Sequence, residues 1–189
     1  MSGWSRLLLA TVCGLVLAGI VHITAVLSVP WLSEQDAFSR LRGTLAADRS
    51  QIIAAPGQET WLPRPDPAAS LAACAYNLDE GPLRVSARTG PIFESLSFHA
   101  RGGGTFFAVT DRAGVRGALD LVVMTRSQLD EAQANDDGDE PSRDVRIVAP
   151  RREGLVIVRV VAPFPSQREE AEAAAKSVSC VTEPLPGRR

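Results

Sequence analysis

Histidine is scarce in this chain, with two in 189 residues, and that is a small allowance for a metalloenzyme or a hydrolase. His22 falls in an apolar run, and His99 has no second His or Cys at ligand spacing, so neither a metal nor another cofactor is expected. Lysine is scarcer still, since Lys176 is the sole one. No cluster of basic residues follows the apolar run closely enough to form a patch for anionic lipid. All 22 acidic residues and all but Arg6 of the 20 basic ones lie beyond position 30, so the rest of the chain is mildly acidic, which argues against nucleic acid.

Charge is wholly absent from Leu7 to Val29. At about 1.5 Å per residue this run spans roughly 34 Å as a helix, enough for a hydrocarbon core with some tilt. Trp4 and Trp31 bracket the run as interfacial anchors, and Pro30 is expected to end the helix. A cleaved signal peptide would have a shorter apolar part and a small-x-small site, whereas Leu27-Ser28-Val29-Pro30-Trp31 follows here. The short basic head, Glu34 and Asp36 near the exit side and the long following domain place the N-terminus in the cytoplasm and the domain outside it. The domain would then lie outside the cytoplasm on a single-pass anchor.

Cysteine number fits that compartment. Cys13 lies in the span, leaving Cys74 and Cys180 as an even pair for a disulfide, the alternative being two unrelated buried thiols. Within the span, Thr11, Gly14, Ala18, His22 and Ala25 fall within about 80° of one another at 100° per residue. That stripe of small and polar residues suits contact with another helix.

The chain divides into an anchor over 1–30, a juxtamembrane helix and proline-rich linker over 31–65, and a domain over 66–189. Ser33 and Asp36 resemble a capping box for the short helix, and Pro56, Gly57, Pro63, Pro65 and Pro67 fill the linker. Asp66-Pro67 reads as the start of a helix through Ala73. Alternation then predicts three hairpins. The first pairs 74–78 with 83–87 across Asp79-Glu80-Gly81, the second pairs 94–100 with 105–110, and the third pairs 145–149 with 155–161. Residues 118–125 read as a strand, Ser127 as the cap of a short helix over 129–134, and Ser166 to Val178 as the last helix. The predicted class is α+β, one membrane helix followed by a single domain with a mainly antiparallel sheet and a few helices.

Chemistry-bearing motifs are weak. Gly102-Gly103-Gly104 precedes a strand where a phosphate cradle needs a helix, so it reads as a hairpin turn. The acidic run Asn135 to Glu140 has Gln133 and Asp144 where a calcium loop needs a first acid and a bidentate Glu, so it reads as a solvated loop. Ser97 and His99 share a strand face without a nucleophile elbow. No catalytic set is assigned, and a binding or interaction module is the first reading. The alternative is an enzyme or enzyme subunit with a pocket between sheet and helices, using Tyr76, Arg84, His99, Asp111 and Arg112.

The stretch Ala72-Ala73-Cys74-Ala75-Tyr76-Asn77-Leu78-Asp79-Glu80-Gly81-Pro82-Leu83-Arg84-Val85, with Ser95-Leu96-Ser97-Phe98 and Thr110-Asp111-Arg112, resembles the small membrane-anchored bacterial proteins of the domain-of-unknown-function 1254 family. The resemblance runs almost end to end, including the His22 helix and the final Cys180. It implies an envelope location in alphaproteobacteria, here a periplasmic domain on a bacterial inner-membrane anchor, and a partner such as a second anchored protein, the helix stripe adding another copy of the chain as the alternative, and it supplies no reaction. The second hairpin departs from the family pattern, with His99, Ala100 and Thr105 where Tyr-Asp and Asn are usual.

Overall fold

The structure is a computed structural model that describes residues 3–32, 37–42, 48–134 and 144–183. It divides into two units, Met1–Asp36 and Ala37–Arg189. The first is the helix α1, Gly3–Leu32, whose membrane-length part is nowhere buried. A helix of this length that is apolar all round has the character of a membrane segment. Three of its hydroxyls are satisfied within the helix, an arrangement that suits lipid: Thr11, Thr24 and Ser28 donate to the carbonyls of Leu7, Ile20 and Thr24 at 3.0, 2.8 and 2.6 Å. The helix runs two residues past Pro30, because a proline in the last turn removes one bond without splitting a ladder. The expected capping box at Ser33 and Asp36 and the acidic run at 135–140 lie outside the described residues.

The second unit is an α+β domain built on two sheets. Its elements are α2 (Ala37–Arg42), β1 (Gln51–Ala54), β2 (Ala69–Asn77), β3 (Leu83–Arg88), β4 (Glu94–Ala100), β5 (Thr105–Thr110), β6 (Ala118–Met124), α3 (Arg126–Ala134), β7 (Val145–Val148), β8 (Glu153–Val161), α4 (Arg168–Ser177) and β9 (Ser179–Thr182). One sheet has the order β1-β2-β8-β4-β5, the other β7-β6-β3-β9, and every pairing is antiparallel except β6 with β7. One core fills the space between them. Ala72, Cys74 and Tyr76 of β2, Leu96 and Phe98 of β4 and Val156, Val158 and Val160 of β8 meet Leu83, Val85, Leu119, Leu121 and Val123 of the smaller sheet. Burying each large side chain there contributes about 1.5–3 kcal/mol. The small Ala171 and Ala175 let α4 pack closely into the same core. On the other face of the larger sheet, Phe38 and Leu41 of α2 cover Ala73 and Leu155.

The second predicted hairpin is present as β4 and β5. The first and third are not hairpins, because β2 and β3, and likewise β7 and β8, belong to different sheets. Apolar alternation is the same for a strand whether its neighbour in sequence pairs beside it or faces it across the core. Here the Leu78 amide donates to the Arg152 carbonyl at 2.8 Å, which keeps the end of β2 on β8 while Gly81 turns the chain into the smaller sheet. The helix expected over 66–73 is also absent. Asp66 Oδ1 accepts from the Ala68 amide at 3.0 Å in a turn, and β2 starts at Ala69. Alanine favours a helix, yet nine consecutive pairs with β8 and burial on both faces outweigh that weak preference. The cap of α3 is Thr125 in place of Ser127. The Gln128 amide donates to Thr125 Oγ1 at 3.2 Å, and the Thr125 amide donates to Gln128 Oε1 at 2.7 Å.

Cys74 on β2 is bonded to Cys180 on β9 with their Cα atoms 6.5 Å apart, so one covalent link joins the two sheets through the core.

Candidate functional site

A cavity of about 360 Å³ opens at the end of β2, lined among others by Arg42, Asp48, Tyr76, Glu80, Glu153 and the disulfide partner Cys180. Strand register builds it. Tyr76 pairs with Gly154, and a Cβ at Gly154 would collide with the Tyr76 phenol and the His99 carbonyl, so the glycine lets the ring cross β8. The phenol donates to the His99 carbonyl at 3.4 Å, and burial pushes its pKa up to about 12, so it stays a neutral donor. Glu153 forms ion pairs with Arg101 and, at 3.8 Å, with Arg42, while the Arg101 guanidinium lies 5.0 Å over the Phe38 ring. Asp48 and Glu80 leave the lining with more acid than base, which suits a polar or positively charged group.

Of the five pocket candidates, Tyr76 alone lines this cavity. Arg84 alternates with the core residues Leu83 and Val85, so it sits on the outer face of the smaller sheet. There it pairs with Glu183 at 2.5 Å and Asp144 at 3.8 Å, and the Glu183 hydrogen bond raises its pKa further. Asp111 and Arg112 form a 3-10 turn after β5, at the opposite end of the larger sheet. Gly154 and Val160 mark the two ends of β8, about 20 Å apart at ~3.3 Å per residue.

His99 lies on the outer face of the larger sheet, alternating with buried Phe98 and Ala100. Its Nε2 is 3.0 Å from Ser97 Oγ and its Nδ1 is 3.2 Å from Thr105 Oγ1. Burial lowers its pKa and keeps the ring neutral. A Nδ1–H donated to Thr105 leaves Nε2 to accept from Ser97, which is the relation of a nucleophile to its base. The pair sits in the middle of a continuous sheet, where the neighbouring amides are spent on the ladders to β5 and β8 and so cannot cradle an oxyanion.

One residue with unusual chemistry was not singled out from the sequence. Glu94, at the start of β4, is 3% exposed, and its pKa is pushed up to about 7 by burial and then by Asp111. Its signal was the alternation Glu94, Leu96, Phe98, which puts a carboxyl on the core face. Among the described residues no group of three or more His, Cys, Asp or Glu side chains is placed to share a metal.

No protein-family model matches the chain, and no curated protein matches it by sequence. Among solved structures it is similar to the VPA0106 protein from Vibrio parahaemolyticus, with a TM-score of 0.54 and 11% identity over 80% of this chain and 36% of that one. A putative uncharacterized protein from Burkholderia cenocepacia matches with a TM-score of 0.48 and 12% identity over 79% of this chain and 38% of that one. The chain thus spans little more than a third of either protein's length. At 11% identity the likeness to the Vibrio protein shows the fold alone.

Proposed function

We propose that this chain is a single-pass anchored protein of a bacterial cell envelope, with its N-terminus in the cytoplasm and its domain in the periplasm. The domain serves as a binding and interaction module for another anchored protein or for a second copy of itself. The observation that carries this reading is the disulfide between Cys74 and Cys180 in a domain that follows a membrane-length helix. Such a bond persists in oxidising compartments and is rare in the cytosol. The resemblance of residues 72–85 to the domain-of-unknown-function 1254 family supports the same reading, since it implies an anchored envelope protein with a partner. The polar cavity beside Tyr76 is the recognition surface in this proposal.

Association would run partly through α1. Thr11 already donates to its own helix, so the contact rests on Gly14 and Ala18, where backbones can approach, and on His22, whose imidazole gains a partner away from lipid. Replacing Gly14, Ala18 and His22 by Leu should lower cross-linking in native membranes about fivefold, the equivalent of ~1 kcal/mol of helix contact. A control changed on the opposite face at Leu9 and Val16 should cross-link as the wild type does. Equal cross-linking in the two variants would show that the stripe faces lipid.

A further inference from the structure

We infer that the open edge of β5 pairs antiparallel with β5 of a second copy of this chain, about a two-fold axis at Ala108, and so joins the two larger sheets into one. This pairing rests on the domain's role as an interaction module and gives that role a surface apart from the Tyr76 cavity. β5 ends its sheet, and among the described residues no strand pairs with its far side. An open edge is a template for another strand, and proteins close such edges with short length, bulges, charges or covering segments. The other three edges are closed in these ways. β1 has four residues and a register shift, and its Ile53 carbonyl accepts from the Thr60 hydroxyl at 2.6 Å. β7 has four residues and carries Arg146. β9 has four residues, and its Cys180 amide donates to the Asp48 carbonyl at 2.9 Å in a segment that runs beside it. β5 has six residues, Thr105 to Thr110, with no charge and no proline.

The register follows from the way the backbone points. The Val161 amide donates to the Phe93 carbonyl and the Arg101 amide to the Glu153 carbonyl, at the two ends of the β4–β8 ladder. Alternate residues of a strand bond to opposite neighbours, so Ser95, Ser97 and His99 turn to β8 while Leu96 and Phe98 turn to β5. Their partners Val109 and Phe107 are thereby bonded to β4, and exposed Ala108 between them directs its amide and carbonyl outwards. Phe107 and Val109 are half-buried on the core face, opposite buried Phe98 and Leu96. Two copies related at Ala108 exchange both hydrogen bonds of that residue, and each Phe107 then stands beside Val109 of the other copy with the core faces on one side. An aromatic ring opposite a β-branched residue is a favourable cross-strand pair, and no like charges meet between 105 and 110. Only the small Ala108 side chains meet at the axis. The edge is thus complementary to itself.

Cross-linking in native membranes reads the register directly. Ala108→Cys in a Cys13→Ser background puts two thiols at the axis, where the Cα atoms of a hydrogen-bonded pair lie about 5.5 Å apart, within the disulfide range of about 4.4–6.8 Å. Mild oxidation should join most chains into a reducible dimer, and Asp120→Cys, exposed on β6 of the smaller sheet, should give about tenfold less. Sedimentation equilibrium of the full-length protein in detergent should show a dimer whose Kd rises about tenfold in Ala108→Pro, which removes the outward amide, and in Ala108→Lys, which sets like charges at the axis. Both variants keep α1 and the bonds to β4, and circular dichroism checks that they are folded. A missing Ala108→Cys dimer, an adduct with a different protein, or a Kd undiminished in both variants overturns the pairing and leaves the interaction-module role standing. Wild-type protein that is monomeric in detergent and gives no adduct in membranes overturns the pairing and self-association with it.

Discussion

Removing the Cys74–Cys180 bond is expected to cost the domain about 4.7 kcal/mol. The cross-link closes a loop with a sequence separation of 106, and in the chain-entropy model a loop of about 100 residues gives that figure. Total domain stability is usually only about 5–15 kcal/mol, so the double variant Cys74→Ala, Cys180→Ala should sit close to the edge of folding. For a domain of about 150 residues the loss translates to a fall in Tm of roughly 10–20 °C. The bond also joins two sheets that are otherwise tied by packing, crossovers and the backbone hydrogen bonds of Asp48 and Ser50 with Cys180 and Val178, so the damage should spread through the whole unit. Thermal unfolding of the oxidised wild type against the double variant measures it. A difference under about 1 kcal/mol, with two free thiols in protein fresh from membranes, would contradict the role given to this pair.

The second large effect is a dependence of stability on pH through Glu94. Its carboxyl is pushed from the ordinary 4.5 up to about 7 by burial and by Asp111. The folded state therefore holds a proton that the unfolded chain has already released. The contribution is fully present below about pH 4.5 and is lost as pH rises through 7, by about 3 kcal/mol at 1.36 kcal/mol per pKa unit. His99 works in the opposite sense. Burial lowers its pKa, so its contribution is present at high pH and is lost as pH falls. The readout is therefore the difference between Glu94→Gln and the wild type, measured by denaturant unfolding. The variant should gain about 3 kcal/mol on the wild type between pH 4.5 and 8. A difference that stays constant over that range would mean that the Glu94 carboxyl titrates normally.

What could be read from the sequence followed the range of each signal. The long apolar helix rests on a long uncharged run, and its length and composition appear directly as α1. The hairpin of β4 and β5 rests on Arg101 to Gly104, a local turn between two alternating segments, and local chemistry decides it. The crossings from β2 to β3 and from β7 to β8 depend on which strands face each other across the core, and no short stretch encodes that. The first half of the strand at Ala69–Asn77 was concealed by alanine, whose helix preference is intrinsic, while the strand's support comes from residues about 80 positions away. Strand β9 is four residues long, too short for its alternation to stand out after α4. The candidate polar residues were scattered for a related reason. Tyr76 and Arg84 are only eight positions apart in sequence, but the chain changes sheets between them, and Asp111, just past the β4–β5 ladder, acts on Glu94 only because those two strands pair.

The central claim is that the disulfide-linked domain is held outside the cytoplasm by α1, and a reporter enzyme active only in the periplasm, fused after Arg189, tests it most directly. The account predicts full reporter activity from that fusion and none from the same reporter fused before Met1. An inactive reporter after Arg189, with an active one at the N-terminus, would place the domain in the cytoplasm and contradict the account.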